Sequence, residues 1–517
     1  MLSKRNTDRK KIVEKKVQSI NEKHKSEELS VSLDQNMAVI KGLFSDVDIL
    51  RMKVVQNNQV KELRFGIAFC DGVVNSSIIN DNILRPLMIS GSAVPGPSLL
   101  DTLQNQVIQI AEAEQTTDFL KIIEAISYGD TVLFADGIAK ALLLNTKGFS
   151  TRSTTEPESE KILSGPREGF TESIMQNLSF IRRKLRTNEL KMKFLSLGRQ
   201  SKTSICVCYI NGIANQEIVD EVFKRLNQID IDAVLDSNYI TELIREKKWA
   251  LFRSAGLTER PDVTVGKMLE GRVAILVDGS PVVITVPYLF IENFQSSEDY
   301  YLSFYYTSFA RMLRILGFFL TVGVPGIYIA VVAFHHEMLP TPLLISIAAE
   351  RSSVPFPAAV EAFIMLLVFD ILRETGIRMP TNVGQALSIV GALVIGQAAV
   401  EARLVAAPMI IVVATTGITN LLVPKLNAPV IYLRFFILAL SSFFGFFGFV
   451  LATSAMMIHM LNITSFGVPQ ISLGGSFRFQ GIKDIAFRAP WWKMHLRSKG
   501  MTQNIVRMSG KDGEGNA

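Results

Sequence analysis

Residues 315–334 read ILGFFLTVGVPGIYIAVVAF, 20 residues without a charge. At about 1.5 Å per residue they make a helix of about 30 Å, the thickness of a hydrocarbon core. Just before them stand Asp299-Tyr300-Tyr301-Leu302-Ser303-Phe304-Tyr305-Tyr306, then Arg311 and Arg314. Aromatic rings and guanidinium groups gather in this way where a helix leaves the headgroup layer, and the basic flank predicts a cytoplasmic N-terminal half. Four more apolar segments follow, at about 354–372, 382–400 and 404–423, and a long one from 435 that meets no charge except possible His459 before Arg478.

The whole composition agrees. The chain has 517 residues, 48% of them hydrophobic and 20% charged, and a mean hydropathy of +0.27, too apolar for an ordinary soluble protein. Nearly all long uncharged runs fall after position 314, so a soluble front is joined to a membrane back. The net charge of +6 comes from the first 25 residues, with nine Lys or Arg against three acids. No apolar run follows that stretch, so it does not read as a secretory signal. It is expected to be a solvated tail or to touch anionic lipid rather than nucleic acid. Cys70, Cys206 and Cys208 are too few for a disulfide framework, and Cys-Val-Cys lacks the partners of a zinc site.

Five simple spans would leave Arg478, Lys483, Arg488, Lys493, Arg497 and Lys499 outside, against the positive-inside rule. An even count is therefore expected. Either the last segment doubles back near Gly445 and Gly448, or the third and fourth, parted by Glu401-Ala402-Arg403, form one interrupted or re-entrant unit; the second is preferred. Gln385, Gln397 and several Gly and Thr residues in that unit suit either close helix packing or a water-lined path. Gln385, Gln397, Glu361, Asp370, Glu374 and Glu401 form the candidate pore or gating set. Glu361 and Asp370 lie nine residues apart, about 900° of helical rotation, on opposite faces of one helix. In an assembly of several copies one face could ring a pore. The structural alternative has Glu361 bonding Ser352 or Arg351, and Asp370 and Glu374 pairing with Arg373 and Arg378.

The first 300 residues repeat themselves at an offset of about 140. Cys70-Asp71-Gly72-Val73-Val74-Asn75 matches Ile210-Asn211-Gly212-Ile213-Ala214-Asn215, and Gly129 to Gly137 matches Gly271 to Gly279. Each ends in Asp-Gly after an apolar run, a hairpin signal. The fold class is thus an α+β cytoplasmic half of two duplicated subdomains, then an all-α multi-span membrane domain. The divisions are a basic flexible tail at 1–36, subdomains at 37–150 and 165–295 parted by a polar linker at 151–164, an aromatic and basic juxtamembrane segment at 296–314, a transmembrane domain at 315–465 and a basic cytoplasmic tail at 466–517. A cleft between the subdomains could take a ligand or a partner segment; equally, the pair could be only a docking platform. No phosphate-binding loop, nucleophile elbow or paired-His zinc helix is found, so no enzyme activity, cofactor or metal is expected.

Other blocks carry a resemblance: Gly165-Pro166-Arg167-Glu168-Gly169-Phe170, Thr258-Glu259-Arg260-Pro261-Asp262, Glu270-Gly271-Arg272 through Ser280-Pro281, Ser296 to Tyr301, Pro355-Phe356-Pro357 with Glu361, and Gly384-Gln385-Ala386 through Val400. In this order they resemble the A subunit of GerA-type spore germinant receptors over most of residues 37–500. The resemblance implies a spore inner-membrane protein working with a transporter-like B subunit and a lipoprotein C subunit. It also implies a homo-oligomeric ring around a monovalent-cation route, with the nutrient held by the B subunit. A secondary transporter or a non-conducting scaffold are the competing readings.

Overall fold

A computed structural model describes residues 29–90, 98–148, 156–157, 159–379, 394–471, 484, 487–497, 501–504 and 506–507. Its N-terminal part is mixed α/β and its C-terminal part is helical. Helix α1 (Leu33–Leu43) begins inside the stretch read as a basic tail. Strands β1 (Leu50–Gln56), β2 (Arg64–Cys70), β3 (Ala113–Thr116), β4 (Thr131–Ala135) and β5 (Ala141–Leu144) form one antiparallel sheet in the order β1-β2-β4-β5-β3. Strands β6 (Leu190–Leu197), β7 (Thr203–Ile210), β8 (Gly256–Thr258), β9 (Val273–Val277) and β10 (Val283–Val286) form a second, in the order β6-β7-β9-β10-β8. Every residue of β4 and β9 is buried. Sheet-centre strands covered on both faces read as continuous apolar runs.

The Asp-Gly pairs lie in the loops of the β4–β5 and β9–β10 hairpins, with Gly137 and Gly279 at φ 87° and 83°. The aspartates also tie each sheet to a helix. Asp136 accepts the Leu33 N–H at 3.1 Å, and Asp278 accepts the Ile174 N–H at 3.1 Å, at the starts of α1 and of α2 (Ile174–Lys184). Both capture a helix-terminal N–H that has no partner inside its own helix.

The two sheets share a core. Phe65, Ile67, Leu133 and Leu142 from the first pack in one cluster with Phe180, Met192, Cys206 and Leu276 from around the second. Backbone hydrogen bonds from Asp48 N to Met192 O and from Met192 N to Asp46 O stitch the seam. A small polar cavity of about 180 Å³ lies at this seam. Its charged walls are partly spent: Lys191 donates to Ser45 O at 2.8 Å, and Lys193 pairs with Asp46 at 2.9 Å.

The helical part opens with α3 (Phe304–Phe334), a helix of 31 residues that extends the 315–334 reading back by about three turns. Then come α4 (Thr341–Arg351), α5 (Ala358–Arg378), a helical stretch over residues 394–401, α6 (Ala407–Leu421) and α7 (Asn427–Leu461). By length and composition, Phe304–Phe334 and Pro424–Leu461 could each cross a membrane. Pro424–Leu461 is not one rod, however. Gly445 sits at φ 58°, ψ −137°, far from helical values. Near one end Lys425 Nζ donates to Gln295 O at 3.4 Å, and near the other Lys247 Nζ donates to Asn462 O at 2.6 Å. Both ends thus touch the α/β part, while Gly445 packs on Phe334 at the far end of α3.

Helix α7 is therefore a hairpin of two arms, each about 25 Å long. The last segment doubles back near Gly445, the option ranked second from sequence. The third apolar segment lies largely outside the described residues, and a reversal marked by Arg403 at φ 56° separates its end from α6. Outward faces of the helices expose Phe319, Ile371, Ile418, Phe443 and Phe447.

Candidate functional site

Buried charges occur inside the helical part and at its foot. Glu361, in the first turn of α5, is 1% exposed. Its Oε2 accepts the Ala406 N–H at 2.9 Å, just ahead of α6, and its Oε1 lies 3.8 Å from Arg351 Nη2. A carboxylate suits that place, because helix N-termini carry unpaired N–H groups and partial positive charge. Glu361 thus pins the reversal at 403–406 onto α5.

Asp370 lies farther along α5. Its Oδ2 accepts from Arg434 Nη2 on the first arm of α7, and its Oδ1 is 3.5 Å from Arg373 Nη2. Arg434 is fully buried. The expected partner Arg373 is present, but the main partner, Arg434, escaped the sequence reading. Its signal was its setting: a lone Arg in Tyr432-Leu433-Arg434-Phe435-Phe436 must find an acid if it is to be buried.

Glu374 pairs with Arg378 at 2.7 Å on an exposed face. Gln397 and Glu401 are exposed on the 394–401 stretch, and Gln385 lies outside the described residues. The fold does not bring the candidate set together within one chain. It holds Glu361 and Asp370 on different faces of α5, each with its own partners.

The foot of α3 is the denser site. Asp299, 2% exposed, receives Arg311 Nε at 2.7 Å and Arg314 Nη2 at 3.0 Å. Arg311 Nη1 reaches Asp484 Oδ1 at 2.7 Å, and the Tyr300 hydroxyl donates to Asp484 Oδ2 at 2.8 Å. Burial, then the Asp484 charge, raise the Tyr300 hydroxyl's pKa, so it stays a donor. Arg311 and Arg314, expected to face headgroups, are instead ion-paired within the protein.

The neighbouring blocks converge here. Arg260 Nη2 donates to Pro166 O at 2.6 Å and to Asp262 Oδ2 at 2.8 Å, and the Tyr301 hydroxyl donates to the same oxygen at 2.6 Å. Gly165, at φ 121°, faces the Tyr301 ring so closely that a Cβ would lie 2.6 Å from Cδ2. Glu292 receives both Lys267 and Arg272. Burial would raise the Glu292 carboxyl, but the two cations outweigh it and hold it below its ordinary value. Burial also pushes Lys267 down, to about 8, against the pull of Glu292. One carboxylate cannot fully compensate two cations, and the lysine, which can lose its proton, bears the deficit.

The C-terminal tail docks on this foot. Arg488 Nη1 donates to Leu302 O at 2.8 Å, Arg497 Nε to Leu269 O at 2.6 Å, and Arg507 pairs with Glu270. These tail arginines are bound to protein; Arg478, Lys483 and Lys499 lie outside the described residues.

Residues 37–500, which hold all these blocks, match the family model described as Bacillus/Clostridium GerA spore germination protein. The chain belongs to the GerA family. Spore germination protein KA of Bacillus subtilis (strain 168) is 38% identical over 496 residues, 95% of this chain and 90% of that protein. The membrane protein YfkQ of the same strain is 41% identical over 457 residues, 87% of this chain and 89% of that protein. A crystal structure of the N-terminal domain of the A subunit of the Bacillus megaterium spore germinant receptor GerK3 is 29% identical. It covers 51% of this chain and 98% of that one, with a TM-score of 0.42. The GerA-family match spans both the α/β part and the helices, so the clamp that joins them lies inside the matched region.

Proposed function

We propose that this GerA-family chain is the multi-span A-type membrane subunit of a nutrient germinant receptor in the spore inner membrane. Several copies would enclose a route for monovalent cations, beside a transporter-like B subunit and a lipoprotein C subunit. The observation that carries the membrane role is the buried Asp370–Arg434 pair inside helices with apolar outer faces. Such pairs are expensive in a bilayer and tend to mark functional positions. The α7 hairpin supports an even number of passes and an α/β part on the cytoplasmic side, which also receives the basic tail.

The α/β part is read as a duplicated platform. The matching strand orders, the equivalent Asp136 and Asp278 bonds, and the helix caps Asn75 and Asn215 at equivalent turns support that reading. Within one chain the buried acids act as latches between helices: Glu361 holds α5 to α6, and Asp370 holds α5 to α7. Nutrient captured by a partner would favour an arrangement in which these latches part and a hydrated route opens.

One observation favours the non-conducting scaffold instead: both buried acids already have protein partners. Reconstitution with the partner subunits in liposomes separates the two readings. Nutrient-triggered potassium release, altered by Asp370→Asn, supports the channel. Assembly without release at any nutrient concentration supports the scaffold.

A further inference from the structure

Trp249 lies in the loop that precedes β8, and its side chain is 97% exposed. Lys247 and Lys248 beside it are exposed too. So large an amphipathic ring is seldom left wholly in water. The loop is held at a definite height. Lys247 Nζ donates to Asn462 O at 2.6 Å and Leu251 N to His459 Nε2 at 3.3 Å, both at the end of the second arm of α7. Phe252 meets Phe290 edge-on at 5.2 Å and shares a cluster with Phe318, Val322 and Met456. Trp249 is thereby brought beside the helix end that exposes Ile458 and Leu461.

The chain has three tryptophans, and the other two flank the start of α3, before the Phe318 and Val322 turns that share a cluster with the Trp249 loop's Phe252. Trp491 is 5.9 Å from Tyr300 and Trp492 is 6.0 Å from Phe304, where α3 begins. Tyr305 and Tyr306 stand exposed next to them.

We propose that Lys248 and Trp249 form a lipid-interface anchor, with the indole in the headgroup layer and the ammonium group on lipid phosphates. The second sheet would then rest on the bilayer rather than hang from α3 alone. The occupant is a bilayer because the exposed apolar face continues directly onto the α7 arm, and a Trp beside lysines suits anionic headgroups. This inference rests on the membrane reading above.

The test uses the full chain in vesicles of phosphatidylcholine and phosphatidylglycerol. The Trp249 signal is the fluorescence difference between wild type and Trp249→Phe, a change at an exposed side chain that leaves the fold intact. That difference signal should lose most of its intensity to lipids brominated high in the acyl chains and be shielded from acrylamide. Lys248→Glu should weaken the quenching in phosphatidylglycerol-rich vesicles. A chain retained by the vesicles in alkaline carbonate whose Trp249 signal is quenched by acrylamide and not by bromolipid overturns the anchor alone. Release of the chain by carbonate overturns the membrane reading and the anchor together.

Discussion

Replacing Asp370 by asparagine tests whether the α5–α7 latch is worth what its geometry implies. One carboxylate there serves two guanidinium groups, Arg434, fully buried, and Arg373 at 3.5 Å. Stranding one buried partner of an ion pair costs about 3–5 kcal/mol. Asp370→Asn strands two cations, so it belongs at the upper end, about 5 kcal/mol. Arg434→Met leaves Asp370 with Arg373 and belongs at the lower end, about 3 kcal/mol. Removing both groups together strands only Arg373, which keeps some water access, so the double variant should be more stable than Asp370→Asn alone. Thermal unfolding of the full chain in detergent reads the order: wild type, then Arg434→Met, then Asp370→Asn, with the double variant above Asp370→Asn. In liposomes Asp370→Asn should also leak potassium without nutrient. A double variant less stable than either single change would refute the coupling, as would Asp370→Asn within about 1 kcal/mol of wild type.

Glu361→Gln keeps an acceptor for the Ala406 N–H, whereas Glu361→Ala removes it, so thermal unfolding should show Ala costlier by about 1–2 kcal/mol; equal losses would mean that charge, not the hydrogen bond, matters. Gly165→Ala combines a left-handed φ with a collision against Tyr301 and should cost about 1–3 kcal/mol or more. Gly137→Ala, with φ 87° and open space around it, should show the backbone strain alone, and equal melting losses would remove the close approach as a cause. The folded-state pKa of Lys267, about 8, lies below its ordinary 10.5, so folding disfavours its charged form. Its contribution is therefore most favourable above 10.5 and falls as pH drops toward 8. Melting curves between those limits should show a rise with pH that Lys267→Met flattens. Asp484→Asn should loosen the tail, read as faster protease cleavage after Arg488, while the α/β part stays resistant.

The long apolar helices were legible because hydropathy acts through local composition. The 315–334 run and its aromatic and basic flank need no knowledge of neighbours. The strands and turns of the α/β part were legible for a similar reason, since Asp-Gly turns and apolar strands follow from short-range sterics. Asp136 and Asp278 show the limit: their turn role was readable, but their bonds to Leu33 and Ile174, over 100 positions away, were not. The candidate site fared in the same way. The opposite faces of Glu361 and Asp370 follow from helical rotation, while Arg434, Ala406 and Asp484 as partners come from other segments.

Residue order by itself determined where the chain is apolar enough for lipid, where it repeats, where its turns fall and which family it resembles. Tertiary structure alone decided that α7 folds back at Gly445, that Arg311 and Arg314 are turned onto Asp299 and not onto headgroups, and that Lys247, beside Trp249, is tied to the end of α7. The reason is physical: burial, helix rotation and turn strain are properties of short stretches, whereas charge compensation and packing depend on which distant groups arrive within about 3–4 Å of one another.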